Sequence, residues 1–346
     1  MRRPWLAPFT PLYAAGVALR NTSFTRRPVR RLCWPVISVG NLSTGGAGKT
    51  PLTIELAKLL TDNGFHVDVL SRGYGRENSA PARVRPKGTA AEFGDEPLLI
   101  ARETGVPVYV AAQRYQAGLL AEAEADAASP AGQGDSGQHK FDQSRSPSAH
   151  ILDDGFQHRQ LHRDMDILMM NRTDWHDSLL PAGNLREALH AARRANILAI
   201  PADDSGLEAE LKVWGWRGPI WRLQRRMEVP KVNGPVVAFC GIARPEQFFA
   251  GLEAAGMRVA ARMVFRDHHR YSAHDVDRLL AAARSVGATA LITTEKDQIR
   301  LGSLAASLPI ELSFLTARLR VEIEGEAAAV DALTRWLRDV NLRPPL

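Results

Sequence analysis

The segment Gly40-Asn41-Leu42-Ser43-Thr44-Gly45-Gly46-Ala47-Gly48-Lys49-Thr50 carries the residue types that hold a nucleoside triphosphate. The apolar run Val36-Ile37-Ser38-Val39 precedes it, and a helical pattern of Leu52, Leu56, Leu59 and Leu60 follows. Strand, glycine-rich loop and helix form the context that a phosphate cradle needs. Glycines let main-chain amides close around phosphate oxygens, and the helix N-terminus adds partial positive charge. In this reading Ser43, Thr44, Gly45, Gly46, Ala47, Gly48, Lys49 and Thr50 bind ATP. Lys49 reaches the β- and γ-phosphates and the Thr50 hydroxyl ligates Mg²⁺. The general motif has glycine five residues before Gly48, where this chain has Ser43. An ordinary glycine-rich turn is the competing reading, and the two correct flanks tell against it.

Other segments place ionisable groups where they can act. Asp153-Asp154-Gly155-Phe156-Gln157-His158 follows Ile151-Leu152. A carboxylate at the end of a strand beside a phosphate loop is a usual second support for Mg²⁺. Two adjacent aspartates suit a hard octahedral ion, one touching it directly and one through water. The alternative is an Asp-Asp-Gly turn closing the strand. Gly94-Asp95-Glu96-Pro97 reads as a helix start, with Asp95 the N-cap and Glu96 and Pro97 in the first turn. A catalytic reading has Asp95 accept a proton from a substrate hydroxyl. Phe265 to Tyr271 holds the adjacent His268 and His269. It reads as a polar loop, and the lack of Cys or Glu at ligand spacing argues against zinc. Ser71-Arg72-Gly73-Tyr74-Gly75-Arg76 puts Arg72 and Arg76 at a strand end, where open α/β sheets bind ligands. Pro181 to Glu187 adds Arg186, and arginine's planar fork suits phosphate. Each arginine serves equally well as a solvated loop charge. Thr293 to Asp297 ends a strand and caps a helix.

The elements that must position these groups alternate. Strands are expected at 34–40, 65–71, 106–111, 149–153, 165–170 and 196–200, with helices at 50–63, 95–104 and 112–126. This is the βαβ pattern of a doubly wound, mainly parallel sheet. Residues 127–149, rich in Ser, Gly, Gln, Pro and Ala, read as a disordered insertion. Residues 211–231, with Trp214, Trp216 and Trp221, read as a pair of connecting strands or a linker. A second unit follows: strand 236–240, helix 245–256, strand 258–264, helix 273–286, strand 289–293 and helix 325–340. Ser272 with Asp275 makes a capping box.

The chain has 346 residues, enough for two cores, and ordinary apolar (45%) and charged (24%) content for a globular protein. A net charge of +6 favours an anionic partner: nucleic acid, a phosphorylated substrate or an acidic membrane face. Nucleic acid is disfavoured, because the arginines near the N-terminus lack regularly interleaved aromatic groups. Cys33 and Cys240 are expected as buried free thiols in a reducing compartment. No apolar run approaches the ~18 residues of a membrane span. Residues 11–21 read as a short helix, and Pro4, Pro8 and Pro11 argue against a signal peptide. With Trp5, Phe9, Arg20, Arg26, Arg27, Arg30 and Arg31 the helix fits an interfacial anchor, or equally a helix packed on its own domain.

Taken together, these segments resemble the tetraacyldisaccharide 4′-kinase family. The match is carried by Gly40-Asn41 and Gly45 to Pro51, Ser71 to Arg76, Gly94 to Pro97, Asp153 to His158, Leu185-Arg186-Glu187, Asp267-His268-His269 and Thr294 to Asp297. Ser43 is shared with that family; Ala188 stands where it usually has proline. The resemblance implies a P-loop NTPase-like α/β fold with a doubly wound, mainly parallel sheet, a second smaller α/β domain and an N-terminal interfacial helix. The expected divisions are 1–32 for the membrane-associating helix and basic segment, 33–210 for the kinase domain, 211–231 for linker strands and 232–346 for the C-terminal domain. The implied reaction moves the ATP γ-phosphoryl group to the 4′-hydroxyl of an acylated glucosamine disaccharide 1-phosphate, giving lipid IVA in lipid A biosynthesis. Asp95 and His268 would deprotonate the acceptor and Lys49 would offset charge. Thr50, Asp153, Asp154 and Glu96 would hold Mg²⁺, and Arg72, Arg76, His158 and Arg186 would meet substrate or phosphate. The expected place is the anionic cytoplasmic face of the inner membrane, peripheral or monotopic, with no obligate protein partner. The alternative is a P-loop ATPase switch acting on a protein partner.

Overall fold

The structure, a computed structural model, describes residues 3–25, 28–45, 48–128 and 147–341. Most of the middle of the proposed insertion, and Gly46, Ala47, Arg26 and Arg27, lie outside the described residues. Ala127 and Ala128 end a helix, and Ser148 opens a strand.

Twelve strands form one sheet. They are β1 (Val36–Asn41), β2 (His66–Ser71), β3 (Ala82–Arg83), β4 (Val108–Val110), β5 (Ser148–Asp153), β6 (Met165–Met169), β7 (Ile197–Pro201), β8 (Ile220–Glu228), β9 (Val236–Cys240), β10 (Val259–Val264), β11 (Ala290–Thr294) and β12 (Ser313–Ile323). Their order is β10-β9-β11-β12-β8-β7-β6-β1-β5-β2-β4-β3. All ladders are parallel except β12 on β8 and β3 on β4. β1 is central and wholly buried, as a continuous apolar run in a sheet covered on both faces should be. Helix Lys49–Asp62 lays Leu52, Leu56 and Leu60, one stripe at helical spacing, against it. Each is almost fully buried, which stabilises by about 1.5–3 kcal/mol per side chain.

Two parallel blocks share β12. Thr294 of β11 lies beside Ala317, and Glu228 of β8 lies beside Arg318. The carboxyl ends of β8 and β11 thus reach neighbouring residues of one strand from opposite directions. The carboxyl edges of the two blocks face each other as a result, and ligands of open α/β sheets bind at such edges.

Most expected elements stand within two residues of their places. The connecting pair at 211–231 is instead the end of a helix, Ser205–Val213, followed by one strand, β8. Its antiparallel partner, β12, was not expected, because Arg318, Arg320 and Glu322 interrupt the apolar pattern. Cys240 is buried as expected, but Cys33 is exposed, since it precedes rather than enters β1. Asp95 is not an N-cap. Gly94 takes that place, at a φ of 87°, and Asp95 is the first helical residue. The Ser272–Asp275 capping box is present.

Candidate active site

The loop after β1 is built by its own side chains and by a neighbouring turn. Asn41 Nδ2 donates to the Ser43 carbonyl at 2.9 Å and its Oδ1 accepts from Lys49 Nζ at 3.0 Å. The Thr44 amide donates to the Asn184 carbonyl at 2.8 Å and the Arg186 amide to that of Leu42 at 2.7 Å. Gly48 has φ of +84°, a conformation costly for a side chain, and Thr50 is buried behind it. Gly40 lets the next loop approach: a Cβ there would stand 2.5 Å from that of Phe156.

That loop brings the carboxylate pair. Asp153 is buried at the end of β5, and among the described residues its oxygens accept from Thr53 Oγ1 at 3.3 Å and Ser71 Oγ at 3.4 Å. Burial, then Glu96 and Asp154, push its carboxyl up to about 7. Asp154 has a left-handed backbone, φ 49°. Burial would raise its carboxyl, but Lys49 at 3.3 Å and Arg186 at 3.1 Å hold it below the ordinary value. Arg186 also donates to Gln157 Oε1 at 3.2 Å. Behind them burial, Arg114, Arg163 and Arg72 drive His158 down to about 3, so it is neutral at pH 7. Arg114 is 7% exposed, and its Nε is buried with no hydrogen-bond partner.

The helix Asp95–Thr104, packed on the helix that follows the loop, opens with a second constellation. Asp95, 5% exposed, takes the Glu96 amide on Oδ1 at 3.0 Å. Its Oδ2 receives Arg300 Nε at 2.7 Å and lies 3.4 Å from His268 Nδ1. Burial alone would raise the Asp95 carboxyl; His268, Arg300 and Lys296 outweigh it and hold it well below the usual range. The bond to Asp95 raises His268 in turn. His268, like Asp154, has a positive φ, 58°. Among the described residues only these two non-glycine positions do, and strained backbone concentrates at functional sites. Lys296 pairs with Glu96, and the Tyr74 ring lies 5.1 Å from that of His268.

The structure thus gathers Lys49, Asp154 and Arg186 beside Asp153, and pairs Asp95 with His268 in a second cluster. Arg76 joins neither, because its guanidinium donates to the Ser79 and Ala80 carbonyls of its own loop. Among the described residues no three His, Cys, Asp or Glu side chains gather tightly enough to hold a metal ion alone. Sequence reasoning missed Arg114, Arg225 and Arg300. Arg225 Nη2 stands 3.0 Å from where a Gly48 Cβ would be. Only Arg300 had a signal: it is four residues after Lys296, on one helical face. A cleft of about 1260 Å³ opens at Lys49, lined also by Thr50, Glu96, Ile242, Phe248 and Lys296 among others.

A phosphate loop between β1 and its helix, at the carboxyl edge of a mainly parallel sheet, defines an α/β protein of the P-loop NTPase kind. A crystal structure of LpxK from Aquifex aeolicus in complex with ATP has the same fold, with a TM-score of 0.70 and 32% identity, matching 95% of this chain and 98% of that one. The chain belongs to the tetraacyldisaccharide-1-P 4′-kinase family, whose model matches residues 2–338. It is 41% identical over 342 residues to the tetraacyldisaccharide 4′-kinase of Koribacter versatilis, spanning 95% of this chain and 97% of that one. It is 37% identical to that of Geobacter metallireducens, spanning 88% and 90%. It is therefore an ATP-dependent kinase.

Proposed function

We propose that the chain transfers the γ-phosphoryl group of ATP to the 4′-hydroxyl of a tetraacylated glucosamine disaccharide 1-phosphate, the step that yields lipid IVA. The single observation that carries the mechanism is the Asp95–His268 pair, 3.4 Å apart, at the start of a helix that packs on the helix opened by Lys49. The family match disfavours the alternative of an ATPase switch.

Residues 43–50 cradle the triphosphate, and Lys49 offsets charge on the group in flight. The acceptor oxygen forms its bond to the γ-phosphorus as the bond to the ADP oxygen breaks, and its proton passes to Asp95. A carboxylate of depressed pKa is a weak base. It suffices because the transition state is loose and the proton leaves late. His268 holds the carboxylate's orientation and shares the proton. The chain from 232 onward supplies His268, so the pair exists only where the two halves meet, and their meeting keeps water from the moving group.

The residues present fit Mg²⁺. Asp153 is a buried carboxyl crowded by Glu96 and Asp154, with only long contacts to two hydroxyls. A divalent cation relieves that crowding. Thr50, Asp153 and Asp154 would hold it, with Glu96 near, and it would neutralise phosphate charge. The unpartnered Arg114 Nε, with Arg72, Arg186 and neutral His158, offers donors to an anionic group of the acceptor.

No described helix is long and apolar enough to cross a membrane. On the helix Thr10–Thr25 and the turn before it, Trp5, Phe9, Leu12 and Leu19 are exposed. Tyr13 donates to the Arg186 carbonyl at 3.2 Å, which ties this helix to the turn that carries Arg186. That supports a peripheral or monotopic enzyme at the anionic cytoplasmic face of the inner membrane. The test is transfer of labelled γ-phosphate from ATP to the disaccharide in mixed micelles. Label in the glycolipid supports the reading. Hydrolysis alone, with ATP-driven dimerisation, would replace it with the switch.

A further inference from the structure

The helix start at Asp95–Glu96 and the segment Thr294–Arg300 are 200 and 205 residues apart in their paired contacts, yet they meet side chain to side chain. Lys296 pairs with Glu96, and Arg300 with Asp95. Lys296 and Arg300 are four residues apart on the helix Glu295–Leu301, so one face carries both cations. Arg300 is held from several sides. Its side chain is 5% exposed, and Nη1 donates to the Gly241 carbonyl at 2.5 Å and to Asp297 Oδ1 at 3.0 Å. Asp297 is fully buried and accepts from the Gly241 amide at 3.0 Å and from Thr294 Oγ1 at 2.6 Å. The ends of β9 and β11 thus form a frame that fixes the guanidinium. Its Nη2 also reaches Asp95 Oδ2, and lies 3.2 Å from His268 Nδ1.

We propose that Arg300 is a positioning residue for phosphoryl transfer: it carries the orientation of the Asp95 carboxylate from the β9–β11 frame to the reacting centre. Lys296 does the same for Glu96. The inference rests on the reading of Asp95 as the group that receives the acceptor's proton. Arg300 and His268 both address Oδ2, whereas Oδ1 takes only the Glu96 amide. Oδ1 keeps a lone pair for the acceptor hydroxyl. A carboxylate gripped by two nitrogens of one guanidinium cannot turn that lone pair aside. The same grip joins the two halves at the pair, so the Thr294–Arg300 segment is the clasp of the closed enzyme. Lysine offers one point charge where Arg300 brings two nitrogens to Oδ2, so it replaces the grip only in part.

Steady-state transfer from MgATP to the disaccharide, for wild type, Arg300→Met and Arg300→Lys, tests this, with thermal unfolding midpoints beside it. A misplacement of about 1 Å costs about 10²-fold in rate. Arg300→Met should therefore lose about 10²-fold in kcat with KM for ATP within about threefold, and Arg300→Lys should recover about tenfold of that. A loss below about threefold in Arg300→Met overturns the proposal, as does an Arg300→Lys variant equally poor at an unchanged midpoint. Should Arg300→Met not fold, Arg300→Lys decides alone. Its ratio of transfer to glycolipid over hydrolysis by water falls by about tenfold, and an unchanged ratio overturns the role. Absence of transfer by wild type would remove the reading of function itself. Wild-type transfer with an inactive Asp95→Asn and an active Arg300→Met would remove only Arg300.

Discussion

His150 and Asp153 stand three residues apart on β5, both buried, both in networks of charge, and they do opposite things. His150 is closed off. Its Nδ1 meets Asp68 at 2.7 Å, its Nε2 meets Glu122 at 3.3 Å, and Trp34 stacks on its ring. Glu122 in turn takes the amides of Cys33 at 2.6 Å and Trp34 at 2.9 Å. Burial would lower His150, but Asp68 and Glu122 raise it to about 9, so it is a charged pin between β2 and the helix Arg114–Ala128. Asp153 instead meets crowded like charges and has a strained neighbour in Asp154. The same residue types build structure where opposite charges meet, and offer chemistry where like charges crowd.

The comparison can be broken from the open side first. Lys49→Ala should lower transfer by about 10³-fold or more, since it removes the cation nearest the moving phosphoryl group. Labelled product at near wild-type rate would contradict the site. Asp153→Asn should cost about 10²-fold and remove a pH effect. A ligand must be deprotonated to bind metal, and the Asp153 carboxyl stands at about 7. In wild type the Mg²⁺ needed for half-maximal rate should therefore rise as pH falls from 8 to 6; a flat response would exclude Asp153 as a ligand.

The closed side should respond in stability, not chemistry. The folded His150 sits near 9 against an ordinary 6.5. Its contribution is thus complete below about 6.5 and is lost as pH rises through 9. His150→Gln should unfold more easily in urea at pH 6, by on the order of 3 kcal/mol, with the gap narrowing above pH 9. Its kcat per folded molecule should stay within about threefold of wild type, and a specific loss of kcat would merge the two clusters. The smallest effect belongs to Arg76→Ala. That side chain serves its own loop, so KM for the acceptor should change by less than about threefold.

How much of this was legible depends on distance along the chain. The phosphate loop is local: β1, the glycines and the helix stripe sit within a few residues, and the sequence announces them. Asp153–Asp154 follows a strand and reads almost as plainly. Asp95 reads in the sequence as a cap, because the helix start explains its residue type without reference to anything distant, and the structure puts it one place further in. Its partners Arg300 and His268 come from the other half, and only the shared strand β12 brings them near. Nothing in the sequence around Arg114 or His150 marks the Nε of the first as unpartnered and the second as doubly paired. That is decided by which helix covers the sheet.

The central claim is that Asp95 readies the glycolipid hydroxyl while the loop around Lys49 grips the nucleotide. Single-turnover transfer by Asp95→Asn, measured beside its affinity for MgATP, tests it most directly. The account predicts transfer slowed by about 10²–10⁴-fold with nucleotide affinity changed by no more than a few-fold. Wild-type transfer in that variant, or loss of nucleotide binding in step with transfer, would contradict it.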